Sequence, residues 1–247
     1  MSLKLKAPHS PAKRPKPEAD ERETLVQKTS HAVIQFMRDH RLRVGDFLPS
    51  EAEVATSLNV SRTVVRESFG ALAAMRIIDV GSGRRAKVGR VDHSAWSLAV
   101  DHAVHTNQIS LHQVWDVRRT VEVRAVELAA NRRTDDEARA MVAHAGAMRK
   151  SMANRPEMVR HDIALHALIA QASRNALLHT IISSFGTVVM QTGTAVEQPN
   201  PDHLELMTTL HQRLASAIAD RDAAAAIGAM TDHFYTSLRG LADAGFT

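Results

Sequence analysis

The sequence predicts a mainly α protein in two parts, an N-terminal winged helix-turn-helix followed by a C-terminal all-α antiparallel helical bundle. Three observations predict it. Across residues 1–90 Lys and Arg outnumber Asp and Glu by 17 to 10, and beyond residue 90 the count is 14 to 17, so a basic module precedes a mildly acidic one. Turn and strand signals crowd into the first third, while helical periodicity fills the remainder. Aromatic residues make up only 4% of the chain, a composition that suits helices better than sheets.

Residues 1–20 carry four of the eight prolines and five Lys or Arg, with few large apolar side chains. Such a stretch cannot bury enough surface to offset its ordering entropy, and it is expected to be a disordered basic tail. Residues 21–90 form the expected winged helix-turn-helix. Leu25, Ala32, Val33, Phe36 and Met37 recur at helical spacing up to about His40. Gly45 and Pro49 mark a turn, and Ser50 with Glu53 is a capping box opening a short helix with Val54, Ala55 and Leu58 on its inner face. Asn59-Val60 turns the chain, Ser61 is a natural N-cap, and Val65, Phe69 and Leu72 make a buried stripe on the third helix. Residues 77–80 and 86–88 read as two short strands around a basic glycine tip.

Residues 91–245 are expected to form an all-helical domain. Helices are predicted over 93–106, 110–131, 134–153, 156–173, 175–196, 202–220 and 222–242, with Ser110, Thr134, Asn175, Pro201 and Asp222 at cap or first-turn positions. The absence of cysteine excludes disulfides, thiolate metal sites and cysteine nucleophiles. No apolar run approaches the roughly 20 residues that cross a bilayer, and no signal-peptide core opens the chain, so a cytoplasmic protein is expected.

A recognition helix presents its N-terminal side chains to base edges while its opposite face anchors it. Ser61-Arg62-Thr63-Val64-Val65-Arg66-Glu67 fits that requirement: Arg62 and Arg66 share a face away from the apolar stripe, and arginine forks onto guanine. The bland alternative, two solvated arginines, loses ground because a capped helix precedes them and a Gly-Arg wing follows. Leu48-Pro49-Ser50-Glu51, the Val60–Glu67 segment, Leu72 and the glycine wing together resemble the DNA-binding domain of the GntR family. That resemblance implies operator contacts from Arg62 and Arg66, with Thr63, Ser50 and Ser61 beside them, and a wing tip of Ser82, Gly83 and Arg84 in the minor groove. Val64 stands where proline is common, and Ala52 where some members carry a DNA-contacting arginine, so operator sequence does not transfer.

In the bundle, Asp162 and His166 lie four apart and project from one helical face, and His211 and His233 sit on later helices. Three imidazoles and a carboxylate converging on a bundle core would suit a divalent transition metal such as Zn, Ni or Mn. With 14 histidines in the chain, spacing alone cannot single these out; His144, His161 and His179 are equally conspicuous and are expected to be solvated. Arg118-x3-Glu122, Leu128-Ala129-Ala130, Asp162-x3-His166, Ala172-x2-Asn175 and His211-x21-His233 resemble the ligand-binding domain of the FadR subfamily, called FCD. The likeness runs over residues 110–240, with Leu165 replacing a common phenylalanine. It implies that Asp162, His166, His211 and His233 ligate the metal and leave room for an organic acid. The segment Trp96–Val104 resembles members that answer to sugar acids; hydroxy acids, or a fatty acyl ligand as in the metal-free branch, are also open, and the intact ligand set argues against the last. Arg118 either pairs with the effector carboxylate or forms a structural ion pair with Glu122, and Asn175 either faces the pocket or caps its helix.

The function expected is a homodimeric regulator, a repressor of a catabolic operon, binding a double-stranded DNA operator and a small organic acid. A metal-dependent hydrolase with a basic appendage is the alternative. Against it stand the missing His-Glu-x-x-His pattern, nucleophile elbow and phosphate loop. A structural DNA-organising protein is a third reading, separated from the first by sequence preference.

Overall fold

The computed structural model describes residues 24–81, 84–195 and 200–245. The expected tail at residues 1–20 and the wing-tip residues Ser82 and Gly83 lie outside them. The chain divides into two compact units, one ending at Val91 and the other starting at Asp92.

The first unit contains α1 (Leu25–Asp39), α2 (Glu51–Leu58), α3 (Arg62–Ala74), β1 (Ile78–Asp79) and β2 (Lys87–Val88). Helices α2 and α3 start where the capping chemistry predicts. Ser50 and Glu53 exchange side-chain to backbone hydrogen bonds, and the Ser61 hydroxyl accepts from the Val64 N–H at 3.3 Å. Asn59 closes α2 in the left-handed region at φ 53°, a conformation asparagine tolerates better than most side chains. Val33, Met37, Leu48, Val65, Phe69, Leu72 and Ile78 form the core. Leu25 and Leu58, expected on buried stripes, lie at helix ends and are 53% and 38% exposed. The strands pair antiparallel with Ile78 opposite Val88, and Phe47 adds a bridge to Lys87 that no alternation pattern announces. Gly89 has no room for a side chain, since a Cβ there would stand 2.7 Å from the Arg76 carbonyl oxygen.

The second unit is all helical among the described residues: α4 (Ser94–His105), α5 (Leu111–Arg132), α6 (Asp135–Lys150), α7 (Arg155–Ala172), α8 (Ala176–Ser184), α9 (Gly186–Ala195), α10 (Pro201–Ala219) and α11 (Ala223–Asp243). Ser110, Thr134, Asn154, Asn175, Asn200 and Asp222 cap their helices with side-chain oxygens. Helices α5, α6, α7, α10 and α11 pack around a core that includes Met141, Met148, Leu165, Leu214, Met230 and Phe234. Arginines close the joints: Arg132 donates to the Ser173 carbonyl at 2.9 Å and Arg221 to the Asn131 carbonyl at 3.2 Å, giving partners to helix-end carbonyls. The helix expected over 175–196 breaks at Phe185. There the Ser184 hydroxyl donates to the Ile181 carbonyl at 2.6 Å, and the Phe185 N–H bonds three residues back rather than four.

Candidate metal centre and nucleic-acid interface

Helix α7 brings Asp162 and His166 to one face, and α10 and α11 supply His211 and His233. One ligand atom from each of the four lies within 4.8 Å of the others. His166 Nε2 stands 3.4 Å from His211 Nε2 and 3.2 Å from His233 Nε2, and Asp162 Oδ1 is 2.8 Å from His211 Nε2. All three imidazoles are buried.

The outer nitrogens fix the tautomers. His211 Nδ1 is 2.8 Å from the Met207 carbonyl, which can only accept, so the proton is on Nδ1. His166 Nδ1 donates to the Glu122 carboxylate, which Arg118 engages from the other side through Nε at 2.8 Å. With both outer nitrogens protonated, neutral His166 and His211 turn lone pairs inward. A proton on His233 Nε2 could satisfy His166, but the His211 lone pair would still face the Asp162 carboxylate. Acceptors gathered this closely call for a cation. Zinc–nitrogen bonds of about 2.0–2.1 Å place two nitrogen ligands roughly 3–3.4 Å apart, matching the separations found. The donor set therefore fits a divalent transition metal.

Taken by themselves, the side chains favour a proton where the lone pairs converge, the place a cation would take. Burial pushes the Asp162 carboxyl up, but the charges of His166 and His211 outweigh it and hold the group far below the usual carboxylate range. Burial pushes His166 down, yet Glu122 and Asp162 bring its net shift upward. Burial, then the neighbouring His211 and His166, hold His233 well below the usual imidazole range, which leaves it neutral and able to ligate. His233 Nδ1 is buried without a hydrogen-bond partner.

A cavity of about 230 Å³ opens against this cluster, lined by Asp162, His211, His233 and Arg118. Arg118 forms the structural ion pair with Glu122 and also borders the cavity, stacked near Trp115 and Phe234. Asn175 does not reach the cavity. It is exposed and accepts from the Leu177 and Leu178 N–H groups, so its side chain is occupied in capping α8 and the pocket-facing assignment is corrected. His144 and His161 are half-buried rather than solvated, with their Nδ1 atoms 3.1 Å apart, and His179 is half-buried as well. Two site residues escape local spacing. Glu122 was visible only as a partner for Arg118, since its bond to His166 spans 44 residues of sequence. Arg155 lines the cavity, and the stripe Arg155, Val159, Asp162, His166 could have located it.

In the first unit, Arg62, Thr63 and Arg66 are exposed on the opening turns of α3 while Val65, Phe69 and Leu72 are buried beneath. The Arg66 side chain is 75% exposed and approaches Glu51 at 3.5 Å. Ser50, Arg62 and Arg84 border one recess of about 390 Å³ between the starts of α2 and α3 and the wing. The hydroxyls of Ser50 and Ser61 are engaged as caps. Arg85 differs from Arg84: its guanidinium donates twice to the Leu48 carbonyl, at 3.1 and 2.8 Å, and anchors the wing.

Residues 25–88 match the bacterial regulatory proteins of the gntR family, and residues 113–236, half of the chain, match the FCD domain. The chain is a GntR-family regulator of the FCD type. Its GntR relatives include the Glc operon transcriptional activator of Escherichia coli K12, 26% identical over 91% of each chain. The HTH-type transcriptional regulator LutR of Bacillus subtilis is 25% identical over 80% of this chain and 92% of LutR. The transcriptional repressor NanR of Cronobacter sakazakii is 24% identical over 86% and 83%. Among solved structures, Streptococcus agalactiae GntR shares the fold with a TM-score of 0.60 at 23% identity, over 87% of this chain and 99% of that one. These relatives are transcription regulators, which sets the hydrolase alternative aside. No helix among the described residues is long and apolar enough to cross a membrane.

Proposed function

We propose that this regulator is a cytoplasmic homodimer that represses a catabolic operon and is released from its operator by a small carboxylate, a sugar acid or hydroxy acid, bound beside a divalent metal. The observation that carries the reading is the convergence of Asp162, His166, His211 and His233, with Asp162, His211 and His233 on the wall of a cavity that Arg118 also lines. Zn, Ni or Mn all suit the donor set. A bound ion would supply Lewis-acid positions for the acid's carboxylate and hydroxyl oxygens. The chain's own groups do the rest. Glu122 orients His166, the Met207 carbonyl orients His211, and Arg118 offers a guanidinium to the carboxylate.

At the DNA, Arg62, Thr63 and Arg66 read bases, Ser50 and Ser61 sit at helix starts against phosphates, and Ser82, Gly83 and Arg84 enter the minor groove. Two copies place two recognition helices in successive major grooves. The acid shifts the equilibrium between operator-competent and operator-incompetent arrangements only by its differential affinity for them. NanR is named a repressor and the E. coli relative an activator; in the mechanism proposed, the acid releases the operator.

A thermal-shift screen of sugar acids and hydroxy acids, with and without chelator, tests the effector half. A ligand at 100 times its Kd stabilises by about 2.7 kcal/mol, so a cognate acid should raise the melting temperature of the metal-loaded protein by several degrees. The rise should vanish after chelation. A rise that persists in chelator would place the acid away from the metal.

A further inference from the structure

We infer that the cavity has a second anion-binding end built on Arg155, and that its ligand is a hydroxylated dicarboxylate rather than a monocarboxylate. This rests on the proposal that a carboxylate binds beside the metal. Arg155 is the first residue of α7 and lies on the same helical stripe as Asp162, so it enters the cavity about two turns from the cluster.

What distinguishes Arg155 is that no acid pairs with it among the described residues. Its Nε donates to the Gly193 carbonyl at 2.8 Å, and a terminal nitrogen contacts the Met158 sulfur, a weak acceptor, at 3.7 Å. Among the described residues it forms no ion pair with a carboxylate. Burial pushes its guanidinium pKa down, and the charge of Asp162 opposes that shift. Asp162, however, is bonded to His211. Arg118 presents the opposite case, with Glu122 at 2.8 Å already balancing its charge. A half-buried guanidinium without a counter-ion carries an uncompensated desolvation cost, which an anionic ligand group removes. The bond to Gly193 pins Nε, so the terminal nitrogens remain for a carboxylate fork.

The neighbours narrow the class. His203 borders the cavity, and burial followed by the charge of Arg155 holds its imidazole below the usual range, making it a neutral hydrogen-bonding group. Asp243, exposed at the rim, directs its charge toward His203. The cavity of about 230 Å³ falls below drug-sized pockets, which suits a small acid.

Two ligand pairs isolate the second charge: gluconate against glucarate, and 2-hydroxybutyrate against malate. Each pair shares a hydroxy-acid head and differs in a terminal carboxylate. Calorimetric titration of the metal-loaded full chain should show the diacid of at least one pair binding about tenfold tighter or more than its monoacid. Arg155→Gln should remove most of that ratio, and Arg155→Lys should restore part of it. Metal content and the monoacid titration report whether the cavity is intact in each variant. Equal affinities within both pairs, or a ratio that survives Arg155→Gln, would overturn the second anion site while leaving the metal-bound carboxylate standing. Failure of all four acids to bind the metal-loaded chain would overturn both.

Discussion

Replacing His211 with alanine is expected to remove the proposed metal and, with it, the proposed response to the acid, while operator binding persists. His211 contributes one of the converging nitrogens, holds Asp162 at 2.8 Å, and is only 1% exposed. Losing an outer-shell partner of a metal ligand already costs 10–100-fold in affinity, so losing the ligand itself should cost on the order of 100-fold or more. Elemental analysis after dialysis reads the first effect, and operator binding with and without acid reads the second. The DNA-binding unit has its own core around Val65, Phe69 and Leu72, which is why its grip should survive. Because alanine also leaves a void in the bundle, Asp162→Asn provides a near-isosteric check. Full metal occupancy in both variants would remove these residues from the ligand set.

The second large effect belongs to Arg66. Its side chain is 75% exposed and its only described partner is Glu51 at 3.5 Å, so Arg66→Ala should leave the melting temperature nearly unchanged. Specific operator affinity should nevertheless fall. A bidentate arginine contact discriminates by roughly 1–3 kcal/mol, and the proposed dimer would make it twice, giving a loss on the order of 10²–10⁴-fold at a two-half-site operator. Affinity for random DNA should change far less, because that binding rests on phosphate charge summed over many groups. Competition gel shifts with operator and random duplexes separate the two. An unchanged specificity ratio would take Arg66 off the reading face.

Much of this architecture was legible in the sequence because it is encoded locally. Ser50 with Glu53, Ser110 with Gln113 and Thr134 with Glu137 form capping boxes within three residues, so helix starts could be read directly. The break at Phe185 was not legible. No proline or paired glycine marks it, and at the break the Ser184 hydroxyl donates to the Ile181 carbonyl. The Phe47 bridge to Lys87 joins residues 40 apart and leaves no periodic trace.

The site divides along the same line. Asp162 and His166 share a turn of α7 and announce each other, whereas His211 and His233 become partners only through the packing of α10 and α11. Family resemblance, not spacing, selected them from 14 histidines. Asn175 illustrates the converse error, where membership of a motif suggested ligand contact and the side chain instead caps a helix.

The most direct test of the account is operator affinity of the full chain, measured by fluorescence anisotropy during titration with the best-binding acid, before and after metal removal. Coupling between effector and DNA sites is typically 5–150-fold, and a shift of about that size is expected in the metal-loaded protein alone. An equal shift in metal-free protein, or none in metal-loaded protein saturated with acid, would contradict the claim that operator release is controlled at the histidine-lined cavity.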